Sequence, residues 1–315
     1  MQSFDTSIPG AAQTSISQVQ RIAAFSDGAA GGNPAGVWIG PALPPEAEMA
    51  RIAHAVGFSE TAFAAPLGEG ALEEGSFRVR YFSPEAEVPF CGHATIALGA
   101  ALAAAHGDGV FALTLNDARI TVEGRRNATS GDAGGGASTS DAPASTTLIS
   151  AALQSPPTRS APAPGALIER ALALFGYRQQ DLDPRIPPAL AHAGADHLVL
   201  ALRSRALLGA MRYELDAGRA FMRECGIVTV VLAWAESAQR FHTRNPFASG
   251  GVLEDPATGS GTAALAGYLR DIGWPHGGRI EVVQGEDMGM RSRLTAQIGD
   301  EAGASIRVSG SARTM

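Results

Sequence analysis

An α+β fold of two related halves is what the sequence predicts, on three observations. Short stretches that alternate apolar and polar residues are interleaved with Ala- and Leu-rich stretches of helical length. Two of those helical stretches match each other. "GHATIALGAAL" from Gly92 and "GSGTAALAGYL" from Gly259 share Gly92 with Gly259, Thr95 with Thr262, Ala97 with Ala264, Leu98 with Leu265 and Leu102 with Leu269, as an internal duplication would. Between them, residues 127–147, "NATSGDAGGGASTSDAPASTT", hold almost no large apolar side chain and read as a flexible low-complexity loop between the halves.

The elements follow in order. The first fifteen residues are polar and broken by proline and glycine, and read as a disordered tail. "VQRIAAFS" and "AGVWIG" read as strands on either side of the turn-forming "GGNP". "PPEAEMARIAHAVG" is a short helix with prolines at its start and Gly57 at its end. "FRVRYFS" alternates like a half-buried strand, and "HATIALGAALAAAHG" is a helix apolar on all sides, hence buried. "FALTLNDARITVEG" is a hairpin or two adjoining strands. The second half repeats the style with "ADHLVLAL", a helical stretch through "RAFMRECG", "IVTVVLAW", the helix "TAALAGYLRDIG" and the strands "RIEVVQG", "SRLTAQIG" and "SIRVSG". The expected organisation is a tail at 1–15, a first half at 16–126, the loop at 127–147 and a second half at 148–315.

Composition narrows the function. At 315 residues and 45% hydrophobic, the chain is long enough to bury a full core as a soluble globular protein. A formal charge of −7 with no basic stripe argues against nucleic acid as a partner. No run of about 18 apolar residues occurs, so no membrane span is expected, and the N-terminus lacks the features of a secretory signal. Cys91 and Cys225 make no disulfide framework, which points to the cytoplasm. The seven histidines show no tight ligand spacing, so no metal is expected.

The two glycine-opened helices suggest a chemistry. A helix N-terminus offers unpaired N–H groups and a partial positive charge, so two facing one cleft would hold a carboxylate or an enolate-like charge. Gly92, Gly259 and Gly261 would let a substrate approach the backbone. Alternatively, these turns are only caps, with Thr258 or Ser260 satisfying the first turn. Glu60, His93 and Asp255 are the ionisable candidates beside these turns. Each also has a plain structural reading: a surface glutamate, a first-turn helix histidine, and a turn residue before Pro256.

"GGNPAGV" (31–37), "GFSETAF" (57–63), "RYFSPEAEVPFCGHAT" (80–95), "GVLEDPATGSG" (251–261) and "VVQGEDMGMRSRL" (282–294) together resemble the phenazine biosynthesis PhzF-like family, of diaminopimelate epimerase-like fold. The resemblance implies two pseudo-symmetric halves, each a curved, mostly antiparallel sheet wrapped round a central helix, with the active site between them. It implies an isomerase without metal or organic cofactor, acting on a small-molecule carboxylate, commonly as a homodimer. Glu60 matches the family's acid/base, Gly92 and His93 the first-half turn, and Asp255 and Ser260 the residues that hold substrate; Thr258 and Gly259 lie in the same second-half turn. Phe58 and Phe63 are placed to wall Glu60 and raise its pKa. Cys91 sits where two-cysteine racemases of this fold carry one base, but "EDPATGSG" has no second thiol, which marks Cys91 as a packing residue. Two other functions remain: an amino-acid racemase or epimerase using Cys91 and a non-cysteine base, and a non-catalytic metabolite-binding protein.

Overall fold

The computed structural model describes residues 16–68, 74–126 and 149–315. The expected tail at 1–15 and loop at 127–147 lie outside the described residues.

The chain begins with β1 (Gln20–Ser26), β2 (Asn33–Ile39), α1 (Glu46–Val56), β3 (Thr61–Pro66), β4 (Ser76–Phe82), β5 (Glu87–Val88), α2 (Gly92–His106), β6 (Gly109–Thr114), β7 (Arg119–Arg126) and β8 (Ile149–Gln154). It continues through β9 (Arg159–Pro162), α3 (Gly165–Phe175), β10 (Ala189–His192), β11 (Asp196–Ala201), α4 (Arg205–Gly209), α5 (Leu215–Glu224), β12 (Thr229–Ala235), β13 (Arg240–Phe247) and β14 (Val252–Asp255). It ends with α6 (Gly259–Asp271), β15 (Arg279–Gln284), β16 (Ser292–Gln297) and β17 (Arg307–Thr314).

The strand pairings repeat. In the first half β1–β2 is antiparallel, β2–β3 parallel, β3–β4 antiparallel, β4–β6 parallel, and β6–β7 and β7–β8 antiparallel. In the second half β10–β11, β11–β12, β12–β13, β13–β15, β15–β16 and β16–β17 follow the same sequence of orientations. Each parallel pair needs a crossover; α2 supplies the one between β4 and β6, and α6 the one between β13 and β15. β17 also pairs with both β8 and β1, closing the first set of strands into a ring. The fold is therefore diaminopimelate epimerase-like: two pseudo-symmetric curved sheets, each wrapped round one helix.

Side-chain size explains why each sheet can close. α2 is "GHATIALGAALAAAH", buried from His93 to Ala103 on all its faces. Its small residues let strands approach from several sides: a Cβ on Gly124 of β7 would lie 2.3 Å from the Gly99 carbonyl oxygen, and one on Gly99 would lie 2.4 Å from Val122. α6 is packed likewise, Gly267 facing Thr158. Ile96, Leu98 and Leu102 of α2 and Leu265 and Leu269 of α6 belong to one continuous core, so the helices are joined through a shared interior. α1 packs on the opposite face of the first sheet, over Trp38, Phe63 and Phe82. α3 and α5 do the same on the second, over Leu198, Leu200 and Leu232. Gly57 ends α1 in the left-handed conformation expected of a terminating glycine, φ 72°.

Candidate active site

Both central helices start at the glycine that the internal match aligned, Gly92 in α2 and Gly259 in α6. Neither is capped by a side-chain hydrogen bond. The cap reading is therefore corrected: Thr258 stands at the cap position of α6, but its hydroxyl is turned to Asp255. With no side-chain cap formed at either start, the partial positive charge of the first turns is left available.

The two starts line one cavity of about 230 Å³, formed by Gly92, Gly259 and Ser260 together with residues of both halves. Neither glycine is imposed by backbone strain or packing: a Cβ at Gly92 would meet nothing within 4 Å, and one at Gly259 only the Phe25 ring at 3.7 Å. Their bare Cα atoms keep the cavity open. Gly261 is different: it is not in the cavity lining, and a Cβ there would fall 2.7 Å from the Asn245 amide nitrogen, so its bareness makes room for that side chain.

Beside these starts three ionisable side chains come together. Glu60 lies in the short link between α1 and β3, and His93 is the second residue of α2. The His93 Nε2 is 3.4 Å from Glu60 Oε2 and 3.4 Å from Ser59 Oγ. The His93 Nδ1 is 3.2 Å from the Cys91 sulfur. His93 is 7% exposed and Glu60 15%, so the pair is largely withdrawn from water. Asp255 arrives from the second half at the end of β14. Asn33 of the first half donates to its Oδ1 at 2.7 Å and Thr258 donates to its Oδ2 at 2.5 Å. Gln284 fastens this turn from β15: its amide nitrogen donates to the Asp255 carbonyl at 2.6 Å and to the Thr258 hydroxyl at 3.0 Å, and its oxygen accepts from the Thr258 N–H at 3.2 Å. The polar atoms of Thr258 are thus spent on holding Asp255.

Electrostatics separate these groups. Burial pushes the Asp255 carboxyl up to about 6, with Glu60 adding to the rise and His93, Thr258 and Asn33 opposing it. Burial, then the Glu60 and Asp255 charges, hold the Cys91 thiol well above its ordinary range, so it stays protonated. Phe63 does not wall Glu60, which corrects the expectation from the sequence. Along β3 alternate residues face opposite sides, and Phe63 points with Trp38 and Phe82 to the α1 side, where Phe58 also packs.

Two features of the site were hidden from a linear reading. Glu60, Cys91 and His93 place three ligand-type atoms within 4.8 Å of one another, although nothing in their spacing resembles a metal motif. In donor type they would suit a soft divalent ion, but burial that favours a neutral thiol works against thiolate ligation. The second is a duplicated clamp. "EVPFCG" and "EDPATG" each begin with a glutamate whose two oxygens are both held by an arginine on the preceding strand. Arg80 holds Glu87 at 2.7 and 2.5 Å, and Arg244 holds Glu254 at 3.0 and 2.5 Å. These pairs brace the two turns that lead to the helix starts. Matching E-x-P-x-x-G across the halves would have found them.

The two cysteines are free and belong to different hydrophobic clusters, Cys91 beside α2 and Cys225 at the end of α5. Among the described residues no helix is long and apolar enough to cross a membrane.

A two-half fold with a helix start from each half at one cavity, and with Glu60, His93 and Asp255 near those starts though outside the cavity lining, defines the class of diaminopimelate epimerase-like isomerases. Within that class the chain belongs to the phenazine biosynthesis-like family, whose family model PhzC-PhzF matches residues 22–315. Its named relatives are isomerases, as is this chain. An "uncharacterized isomerase" of Deinococcus radiodurans is 32% identical over 259 residues, covering 82% of this chain and 78% of the relative. The trans-2,3-dihydro-3-hydroxyanthranilate isomerase of Pseudomonas fluorescens is 27% identical over 289 residues, covering 91% and 92%. In structure the chain is similar to the PhzF-family phenazine biosynthesis protein of Bacillus anthracis, with a TM-score of 0.76 at 21% identity over 94% and 96% of the two chains.

Proposed function

We propose that this isomerase moves a proton between carbons of a small carboxylate-bearing substrate, with Glu60 as acid and base and without cofactor. The observation that carries the reading is the convergence of Glu60, His93 and Asp255, drawn from both halves, next to two uncapped helix starts that share one cavity. In this reading the amides at Gly92, Gly259 and Ser260 hold the substrate carboxylate and take up the enolate-like charge that builds as the C–H bond breaks. Glu60 accepts that proton and returns it to another carbon, so the reaction balances with no oxidant and no net proton.

His93 and Asp255 set the stage. His93 stands between Cys91 and Glu60, its Nδ1 beside the Cys91 sulfur and its Nε2 facing Glu60 and Ser59. Asp255, with its raised pKa, can remain protonated beside an acid substrate at mildly acidic pH. The racemase alternative is disfavoured by the high pKa of Cys91 and by Thr258, a non-titrating hydroxyl, at the matching position of α6. The relatives named for a dihydro-hydroxyanthranilate support an unsaturated acid as the kind of substrate to try first. We also propose a cytoplasmic homodimer, since homodimers are common in the family and the two free cysteines fit a reducing compartment.

The test is incubation with candidate unsaturated acids in heavy water, read by mass spectrometry. Wild-type protein is expected to incorporate deuterium at carbon and Glu60→Gln to lose this by a factor of about 10²–10⁴. A folded Glu60→Gln protein with full turnover would defeat the proposal.

A further inference from the structure

Strand pairing matches the two turns that lead into α2 and α6 residue by residue. With Arg80 set on Arg244, the β4–β5 and β13–β14 registers place Tyr81 on Asn245 and Val88 on Asp255. The β4–β6 register pairs Arg78 with Thr114, and the β13–β15 register pairs His242 with Val283 and Thr243 with Gln284. Leu115 therefore takes the place of Gln284. Cys91 and Thr258, each next to its helix-opening glycine, match as well. Three residues thus change together between the halves. Val88, Cys91 and Leu115 pack in or against the apolar core, whereas Asp255, Thr258 and Gln284 are joined by hydrogen bonds.

The first half shows that such a turn stands without a glutamine: over Leu115 it keeps the same Arg–Glu brace and the same glycine start. What the second turn has in addition is the Asp255 carboxyl, and Gln284 is placed to direct that group's donor. Backbone groups fix which way the Gln284 amide points. The Asp255 carbonyl, 2.6 Å from Nε2, can only accept, and the Thr258 N–H, 3.2 Å from Oε1, can only donate. Nε2 therefore donates into the Thr258 hydroxyl oxygen at 3.0 Å, and that hydroxyl sends its one hydrogen to Asp255 Oδ2. The Thr243 hydroxyl donates to Oε1 from the other side at 3.4 Å. Gln284 is 1% exposed and Thr258 8%, so the chain from amide to hydroxyl to carboxylate is shielded from water.

We propose that Gln284 is the positioning residue of Asp255, holding its carboxyl in place by directing the Thr258 hydroxyl onto it. This rests on the reading that Asp255 takes part in the proton shift. The other groups acting on that carboxyl are His93, Glu60 and the Cys91 thiol, with Asn33 donating to its second oxygen.

A carbon-13 NMR titration of the Asp255 carboxyl, assigned by its loss in Asp255→Asn, reads the placement without turnover. Gln284→Met, unbranched like glutamine but unable to donate, should raise the Asp255 midpoint from about 6 by about one pH unit, as loss of a hydrogen bond to the charged form does. Deuterium exchange at carbon should slow by about tenfold or more. Gln284→Leu, which copies the first half, takes its place if the methionine variant does not fold, with circular dichroism as the check. Thr258→Val should raise the midpoint at least as much, and Gln284→Met should add little in that background because its path is already cut. A merely structural glutamine would lower the melting temperature and leave the midpoint unmoved. That result in a folded variant, or full additivity with Thr258→Val, would overturn the proposal. A moved midpoint in a protein whose wild type exchanges no deuterium upholds the placement of Asp255 and removes the proton-shift reading.

Discussion

Asp255 stores a measurable instability. Its carboxyl is raised from an ordinary 3.8 to about 6, so the fold disfavours the ionised form by about 3 kcal/mol, at about 1.4 kcal/mol per pH unit. Because the residue is only part-buried, solvent screens some of this and the figure is an upper bound. A carboxyl that binds its proton more tightly folded than unfolded contributes stability in full below about pH 3.8, and that contribution is lost as pH rises through about 6. Asp255→Asn removes the titration while remaking the contacts: the amide oxygen can accept from Asn33, and the amide nitrogen can donate to the Thr258 hydroxyl. Relative to wild type, the variant should therefore gain about 2–3 kcal/mol between pH 4 and pH 8 and be the more stable protein at pH 8. Urea unfolding of both proteins across that range measures the difference. A difference that stays flat, or that grows toward acid, would refute a desolvated Asp255 and with it the electrostatic picture of the site.

Three other outcomes are expected. Gly92→Ala puts a methyl into the cavity without touching protein, so the melting temperature should hold or rise slightly while substrate affinity falls about tenfold or more; unchanged affinity would show that substrate does not approach that turn. Glu254→Gln leaves the buried Arg244 charge short of its main partner and should lower stability by about 3–5 kcal/mol, read by denaturant unfolding. Native protein at pH 8 should react with iodoacetamide at half-buried Cys225 and not at Cys91, and Cys91→Ala should keep its turnover within a few-fold. Rapid labelling of Cys91 would revive the racemase reading.

What could be read from the sequence was whatever depends on local pattern. The all-apolar, small-residue run at 92–106 could only be a helix buried on every side, and its likeness to the run at 259–271 announced the duplication. "FALTLNDARITVEG" contains the β6–β7 hairpin. Glu60, His93 and Asp255 were nominated from motifs, and geometry brings them together. Other features depend on partners distant along the chain. The face on which Phe63 lies follows from the register of β3, not from its nearness to Glu60. Gly261 serves Asn245, and the bulge at Phe25 exists because β17, nearly three hundred residues later, pairs across it. The α3 helix, "GALIERALALF", is not among the elements read from the sequence; Pro164 stands at its start, where proline is tolerated.

β17 is the strand both halves need: it lies between β1 and β8 in one sheet and continues the other through β16. On the ribosome, the ring round α2 must stay open until residues 307–314 have emerged, although every other piece of it was made within the first 154. Assembly of this enzyme therefore finishes at its first half, with the last strand made acting as the latch.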